Sequence, residues 1–413
     1  MKSLTVWYIS KYVTPPRNAK VGARGFFLLE ELVKMGQSCL LVTSDSNHLA
    51  EIEPMAVRYM DESCNGVQVR WVRTCKYGSA RDWRRILSWM HFEWRVVRMP
   101  TADLPRPDVV IASSLSILSI FSGLYYRWKF GAKLIFEVRD IWPLVLVEEG
   151  GLSRWNPFVI ACGIVERFAY RMADEIIGTM PNLSAHVAEA LGFPKAAKCI
   201  PMGVDPSTMQ AGEPLPEAYI ATHIPKGAFI VCHAGTIGVT NALDTLFECA
   251  RMMREDRQVR FLVVGDGYMK AHYQAATADL GNVIFAPRIP KSMVQSLLAE
   301  VDVVYFAAHP SKVLRYGQSL NKVVDYMLSG KPVLASYSGY PSMIDESGCG
   351  TFVPAGESAA LTAEIRRMQA LPNDERIRMG AKGRAWILEK RHYAVLAAEY
   401  LNILRSLSHR PTR

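Results

Sequence analysis

Short apolar runs alternate with helix-period stretches along almost the whole chain. Leu4–Ile9 reads as a buried strand. Phe26, Leu29, Leu32 and Val33 then share one face of a helix that stops at Gly36, and Cys39–Thr43 is the next strand. The alternation continues through Asp108–Ala112, a helix from Leu115 to Phe130, Lys133–Phe136, a helix from Phe158 to Ala173, and Asp174–Thr179. A Pro- and Gly-rich stretch, Asp205–Pro225, reads as a linker. Beyond it the strands Phe229–Ala234, Val259–Val264, Val283–Ala286, Val301–Phe306, Val333–Ala335 and Thr351–Val353 are again spaced by helical segments. Apolar runs of this kind are buried on both faces, so the pattern predicts an α/β protein with two doubly wound sheets facing each other across a cleft. The expected division is 1–205, 206–385 and a C-terminal segment 386–413. One long final helix, from about Glu375 to Leu404, would return to the first domain before a loose tail.

The most constraining stretch is Ser319–Ser336, SLNKVVDYMLSGKPVLAS. A polar turn (Ser319, Leu320, Asn321, Lys322) opens a short helix with Val323, Val324, Met327 and Leu328 on its apolar side. Gly330 and Pro332 end that helix, and a buried-type strand follows. Free N–H groups and the dipole at such a helix start favour an anion, Lys322 adds a cation, and Asp325 offers an acceptor for sugar hydroxyls. A second Gly-containing turn, Gly235-Thr236-Ile237-Gly238, is a similar cradle. In the first half, Val21–Gly25 forms a basic glycine loop, yet neither half carries G-x-G-x-x-G followed by an acidic residue, which argues against a nicotinamide-dependent oxidoreductase.

Polar chemistry also gathers at the carboxyl end of Lys133–Phe136, where Glu137, Arg139, Asp140 and Trp142-Pro143 follow directly; open α/β sheets bind ligands at that edge. Wound as a helix, Arg81–Arg98 sets Trp83, Leu87, Met90, Trp94 and Val97 on one face with arginines beside it, a pattern suited to an anionic membrane surface.

The chain has 413 residues, enough for two domains of about 200 residues each. Its net charge of +9 asks for an anionic partner, but the basic residues are spread and match no nucleic-acid recognition motif. Eight scattered cysteines lack metal-ligand spacing and read as reduced core residues of a cytoplasmic protein. No run reaches the ~18 apolar residues of a membrane span, and the N-terminus is a poor signal peptide.

Five landmarks, FEVRDIWP (136–143), IPMGVD (200–205), HAGTIG (233–238), LVVGDG (262–267) and NKVVDYMLSGKPVLA (321–335), together resemble the retaining, GT-B-fold glycosyltransferases of glycosyltransferase family 4. The likeness is closest to bacterial members that build O-antigen, capsule or exopolysaccharide. It implies two Rossmann-like domains, the first for the acceptor and the second for a nucleotide-sugar donor, with no cofactor and no metal. The resemblance places the base near Gly265 and Asp266 and the nucleotide backbone around Arg288 and Ile289. Asp325 would hold the ribose. Ser319, Leu320, Asn321 and Lys322 would hold the diphosphate and sugar with Gly235, Thr236 and Gly238, and Gly22 would approach from the first domain. Asp140 and Lys322 are the catalytic candidates, and Lys322, Arg315 or Arg24 would meet the leaving-group charge. The acceptor implied is a lipid-linked or other glycan, reached by a cytoplasmic protein peripheral on the inner membrane through the Arg81–Arg98 helix. Two departures stand out. Gly317 takes the place of the first carboxylate of the family's paired acidic signature, and Thr236 and Asn241 stand where an arginine and a lysine are frequent. A catalytically inactive, membrane-associated scaffold of the same fold is the competing expectation.

Overall fold

The computed structural model describes residues 3–20, 23–78, 82–206 and 212–408. The chain divides into two units, one formed by the residues up to Pro201 together with those from Tyr393 onward, the other by Met202–His392.

The first unit runs β1 (Thr5–Ile9), α1 (Arg24–Lys34), β2 (Ser38–Ser44), β3 (Tyr59–Cys64), β4 (Val67–Val72), α2 (Arg84–Val97), β5 (Val109–Ser113), α3 (Ser119–Phe130), β6 (Lys133–Val138), α4 (Leu144–Glu148), α5 (Pro157–Met172), β7 (Glu175–Gly178), α6 (Leu183–Leu191) and β8 (Lys198–Cys199). Its eight strands lie in the order β3-β4-β2-β1-β5-β6-β7-β8, parallel except for β3 against β4. That antiparallel hairpin falls outside the alternation read from the sequence. Its turn is Asn65-Gly66, both at positive φ, the conformation that a two-residue hairpin turn requires.

The second unit runs α7 (Glu217–His223), β9 (Phe229–Ala234), α8 (Asp244–Met252), β10 (Val259–Val264), α9 (Lys270–Ala276), β11 (Val283–Ala286), α10 (Val294–Ala299), β12 (Val303–Ala307), α11 (Asn321–Leu328), β13 (Val333–Ser336), α12 (Met343–Ser347), β14 (Gly350–Val353), α13 (Ser358–Ala370) and α14 (Asn373–Arg391). Six strands order as β11-β10-β9-β12-β13-β14, all parallel. The order reverses between β9 and β12, the switch point at which such sheets leave room for a ligand.

The single long final helix expected from the sequence is two. α14 ends where His392 turns extended (φ −64°, ψ 136°), and α15 (Tyr393–Ser408) belongs to the first unit. There Tyr393, Leu396, Tyr400 and Leu404 are buried against Phe26, Phe27 and Leu29 of α1. The return therefore begins at Tyr393 rather than at 386, and the first crossing falls at Pro201 rather than at 205.

Candidate active site

In the second unit the loops leaving β9 and β10 are laced together along the carboxyl edge of the sheet. Gly235 N–H donates to the Val264 carbonyl (2.9 Å) and Ile237 N–H to the Asp266 carbonyl (2.9 Å). The approach is so close that a Cβ at Gly265 would sit 1.9 Å from the Gly235 oxygen, and one at Gly267 would sit 2.1 Å from the Ile237 oxygen. Both glycines also hold positive φ, so side chains are excluded on two grounds.

α11 meets this loop pair from the β12 side. Tyr326 is buried, and its hydroxyl both donates to the Ala234 carbonyl (2.9 Å) and accepts from the Ala234 N–H (2.9 Å), pinning the helix to the end of β9. The Lys322 ammonium donates to Asn241 Oδ1, while Asn241 Nδ2 donates to the Thr236 carbonyl (2.8 Å). A chain of contacts thus runs from the helix N-terminus to the Gly235–Gly238 turn. Burial lowers Lys322 to about 8. His233, fully buried at the end of β9, is pushed down to about 3 by burial and by the Lys322 charge, so it is neutral. Its Nδ1 faces the Tyr305 carbonyl at 3.3 Å.

The remaining donor-site candidates of this unit are placed as follows. Thr236 and Asp266 are exposed, with Asp266 Oδ1 accepting from Gly267 N–H (2.8 Å), and Gly238 is buried. Ser319 Oγ accepts from Met202 N–H (2.8 Å), and Leu320 caps α11 without a side-chain bond, leaving Asn321 exposed at its first turn. Arg288 is exposed, and Ile289 packs against the core of the unit. Arg315 is exposed, its guanidinium 5.3 Å from the Tyr316 ring. Asp325 is buried and ion-paired with Lys291; burial raises its carboxyl and Lys291 opposes the rise. A sugar hydroxyl there would share the carboxylate with that lysine.

Gly317 ends a short 3-10 turn (Lys312–Tyr316) at φ 95°, ψ 176°, a region that only glycine occupies readily. Its neighbour Gln318 is a residue that the sequence reading passed over. Both polar atoms of its carboxamide are buried and have no partner among the described residues. Tyr326 was likewise hidden, because a helical tyrosine on an apolar face looks like ordinary core.

In the first unit, Arg139 and Asp140 follow β6. Arg139 N–H donates to Ser114 Oγ (3.1 Å), and Thr179 Oγ1 donates to the Arg139 carbonyl (3.4 Å). Asp140 itself is exposed; surrounding protein raises its carboxyl, against the pull of Arg139 and Arg85. Beside it the Arg85 guanidinium lies 5.5, 5.1 and 5.9 Å from the rings of Tyr12, Trp89 and Trp142, and the Tyr12 hydroxyl accepts from Arg85 Nε (3.0 Å) and Trp89 Nε1 (2.6 Å).

Arg24 is not brought to any such edge. Its side chain is wholly buried in an ion pair with Glu137 (3.1 Å) and donates to the carbonyls of Ile200 (2.5 Å) and Pro201 (3.0 Å). The guanidinium expected at the leaving group is spent on the core. Glu137, read with the polar residues at the carboxyl end of Lys133–Phe136, is instead a buried residue of β6 itself. Burial would raise it, but Arg24, Arg139 and the Tyr8 hydroxyl hold it below the ordinary carboxylate range. Gly22 lies outside the described residues.

Two Rossmann-like units with a helix-start site in the second define a GT-B fold. Residues 28–203 match the Glycosyl transferase 4-like domain and residues 228–370 match the Glycosyl transferases group 1 family, so the chain is built of two glycosyltransferase domains. It is 29% identical over 266 residues to 2-deoxystreptamine glucosyltransferase of Streptomyces kanamyceticus, a match that takes in 60% of this chain and spans 65% of that relative's length. Sucrose-phosphate synthase from Thermosynechococcus elongatus superposes with a TM-score of 0.71 at 18% identity, covering 98% of this chain and 99% of that one. Anabaena HepE, solved in complex with UDP-glucose, superposes with a TM-score of 0.64 at 15% identity over 98% of this chain and all of that one (100%).

Proposed function

We propose that this protein transfers a sugar from a nucleotide-sugar donor, with retention of anomeric configuration, to a lipid-linked acceptor in the assembly of bacterial cell-surface polysaccharide. The observation that carries the reading is the junction of Lys322, Asn241 and the Gly235–Gly238 turn at the N-terminus of α11. A diphosphate laid there meets the N-terminal end of α11, where the helix dipole is positive, and the part-buried ammonium of Lys322. As the bond to the sugar breaks, charge builds on the β-phosphate oxygen, and Lys322 is placed to stabilise it without a metal. Asp140, exposed at the carboxyl edge of the first sheet, is the residue assigned to the reacting sugar. Gln318, whose buried carboxamide has no partner among the described residues and stands next to the missing carboxylate at Gly317, is the residue assigned to contact with the donor sugar. The Trp- and Arg-bearing helix α2 suits a protein peripheral on the inner membrane.

The test is a thermal-shift and nucleotide-release screen against UDP-, GDP- and ADP-sugars, beginning with UDP-glucose, with and without membrane lipid extract. One nucleotide class should raise the melting temperature and be released as its diphosphate in the presence of lipid. A chain that neither binds nor turns over any of them is the inactive scaffold instead. Proton NMR of the product anomer decides between retention and inversion.

A further inference from the structure

The face of α2 that the sequence marks as apolar does not pack inward. Trp89, Phe92 and Val96 make the buried side, whereas Trp83 (65% exposed), Leu87, Met90 and Trp94 point to solvent. The same occurs on two further helices. α3 exposes Phe121 and Trp128 (81%), and α5 exposes Ile160, Ile164 (60%), Phe168 and Met172, one residue per turn along its length. These helices share one face of the first unit's sheet. The steps β4 to β5, β5 to β6 and β6 to β7 all run the same way across the sheet, and right-handed crossovers set their helices on one side, opposite α1. On α3 and α5 the patch is continuous, and α2 packs beside α3 through the buried Ser122–Glu93 and Tyr126–Val96 contacts. Phe121 stacks on Phe168 (centroids 6.0 Å apart), and Arg127 of α3 donates to the Met172 carbonyl at the end of α5 (2.7 Å).

Charge on this layer has one sign. α2, α3 and α5 carry three, two and two basic residues against two acidic ones, Glu93 and Glu166, both buried. The Arg95 and Arg98 guanidinium groups flank exposed Trp94, 5.8 and 5.0 Å from its ring, and Lys129 lies 5.8 Å from the Tyr125 ring. Apolar side chains ringed by cations, with no exposed carboxylate on the three helices, complement an anionic bilayer. A second copy of the chain fits less well, because a two-fold pairing would set this basic face against itself.

We infer that the outer face of α2, α3 and α5 as a whole, not α2 alone, is a membrane-docking surface for anionic phospholipid. The inference rests on the peripheral reading given above and enlarges it to three helices. It also gives that surface an orientation, since the N-terminal ends of all three helices lie at the sheet edge that carries Arg139 and Asp140.

The full chain is floated with vesicles of phosphatidylglycerol and phosphatidylethanolamine, or of phosphatidylcholine alone, without donor or acceptor. Binding should favour the anionic vesicles and shift tryptophan emission to the blue. Trp128→Ser and Ile164→Ser, both outside α2, should each lower bound protein at least fivefold, and Arg95→Ser/Arg98→Ser should remove the preference for anionic lipid. Circular dichroism melts verify that these surface variants fold. Full binding by both Trp128→Ser and Ile164→Ser overturns the three-helix surface. So does failure to bind any vesicle, and so does a concentration-dependent dimer that the same variants dissolve. Because the readout involves no sugar, donor binding can fail while docking stands, and the reverse.

Discussion

The ammonium of Lys322 donates to the side-chain oxygen of Asn241, tying the N-terminus of α11 to the turn that leaves β9. Asn241 stands where the resembling family often has a second cation, so the asparagine acts here as a holder for the first. Its amide is fixed in turn by the Thr236 carbonyl, which leaves the lysine one defined position.

Lys322→Ala should therefore lower kcat/KM at least tenfold, about 1.4 kcal/mol of transition-state stabilisation. Steady-state kinetics with the donor found by screening checks this, and an unchanged kcat/KM would remove Lys322 from the phosphate site.

The depressed pKa of Lys322 adds a pH signature. Between about 8 and its ordinary 10.5 the unfolded chain holds a proton that the folded one has shed. Proton uptake is then greater on unfolding, so this group's contribution to stability rises with pH across that window. Anion affinity moves the other way, falling above pH 8 as the ammonium is lost. Titration calorimetry with the nucleoside diphosphate should show that fall in wild type and none in Lys322→Met.

Gly317→Glu would restore a carboxylate to the place where the family keeps one, but at a backbone geometry that glycine alone occupies readily. We expect a loss of ~1–3 kcal/mol in stability and no gain in turnover. A melting curve and a rate measured on the same preparation suffice; a faster enzyme with an unchanged melting temperature would contradict the strain argument.

Arg24→Ala leaves the Glu137 carboxylate buried without its partner. Such a loss is worth about 3–5 kcal/mol, which for a unit of this size lowers Tm by roughly 10 °C. The double variant Arg24→Met/Glu137→Met should recover much of it. Were Arg24→Ala instead as stable as wild type with weakened donor binding, the guanidinium would belong at the phosphate after all.

Asp140→Asn keeps the shape of an exposed side chain and removes its charge. The expectation is a fall in kcat on the order of 10² with donor affinity unchanged, as for loss of one electrostatic group at a reacting centre. Equal losses in binding and turnover would make Asp140 a binding residue.

Most of the framework was legible in the sequence, because strands buried on both faces announce themselves as apolar runs whatever they pack against. The β3–β4 hairpin was missed: Asn65-Gly66 is a turn signal, but the strand YMDESC is polar and half-exposed, so no apolar run announces it. The helix α2 is read from the sequence with its Trp83, Leu87, Met90 and Trp94 face turned outward, and those side chains are exposed, but the buried side of Trp89, Phe92 and Val96 was not picked out. A helical wheel shows that a face exists, and only the neighbouring β4 and α3 decide which face they cover. Arg24 failed for a related reason: an arginine in a glycine loop looks like a phosphate ligand until the buried acid opposite, more than a hundred residues away, is seen. Gln318 could not be found at all, since a buried amide without partners is a property of the fold and not of a pattern.

The break at His392 has a consequence for biosynthesis. Because α15 follows the entire second unit, the first unit must wait, as the chain emerges, for its last structural piece. Until then the apolar flank of α1, with Phe26 and Phe27, stays uncovered, and Glu137 lacks the Tyr400 hydroxyl that lies 3.5 Å from it. The later-made unit has all its strands before the earlier-made one is finished, so a nascent chain stalled before Tyr393 should present a folded second half and a first half open to chaperones.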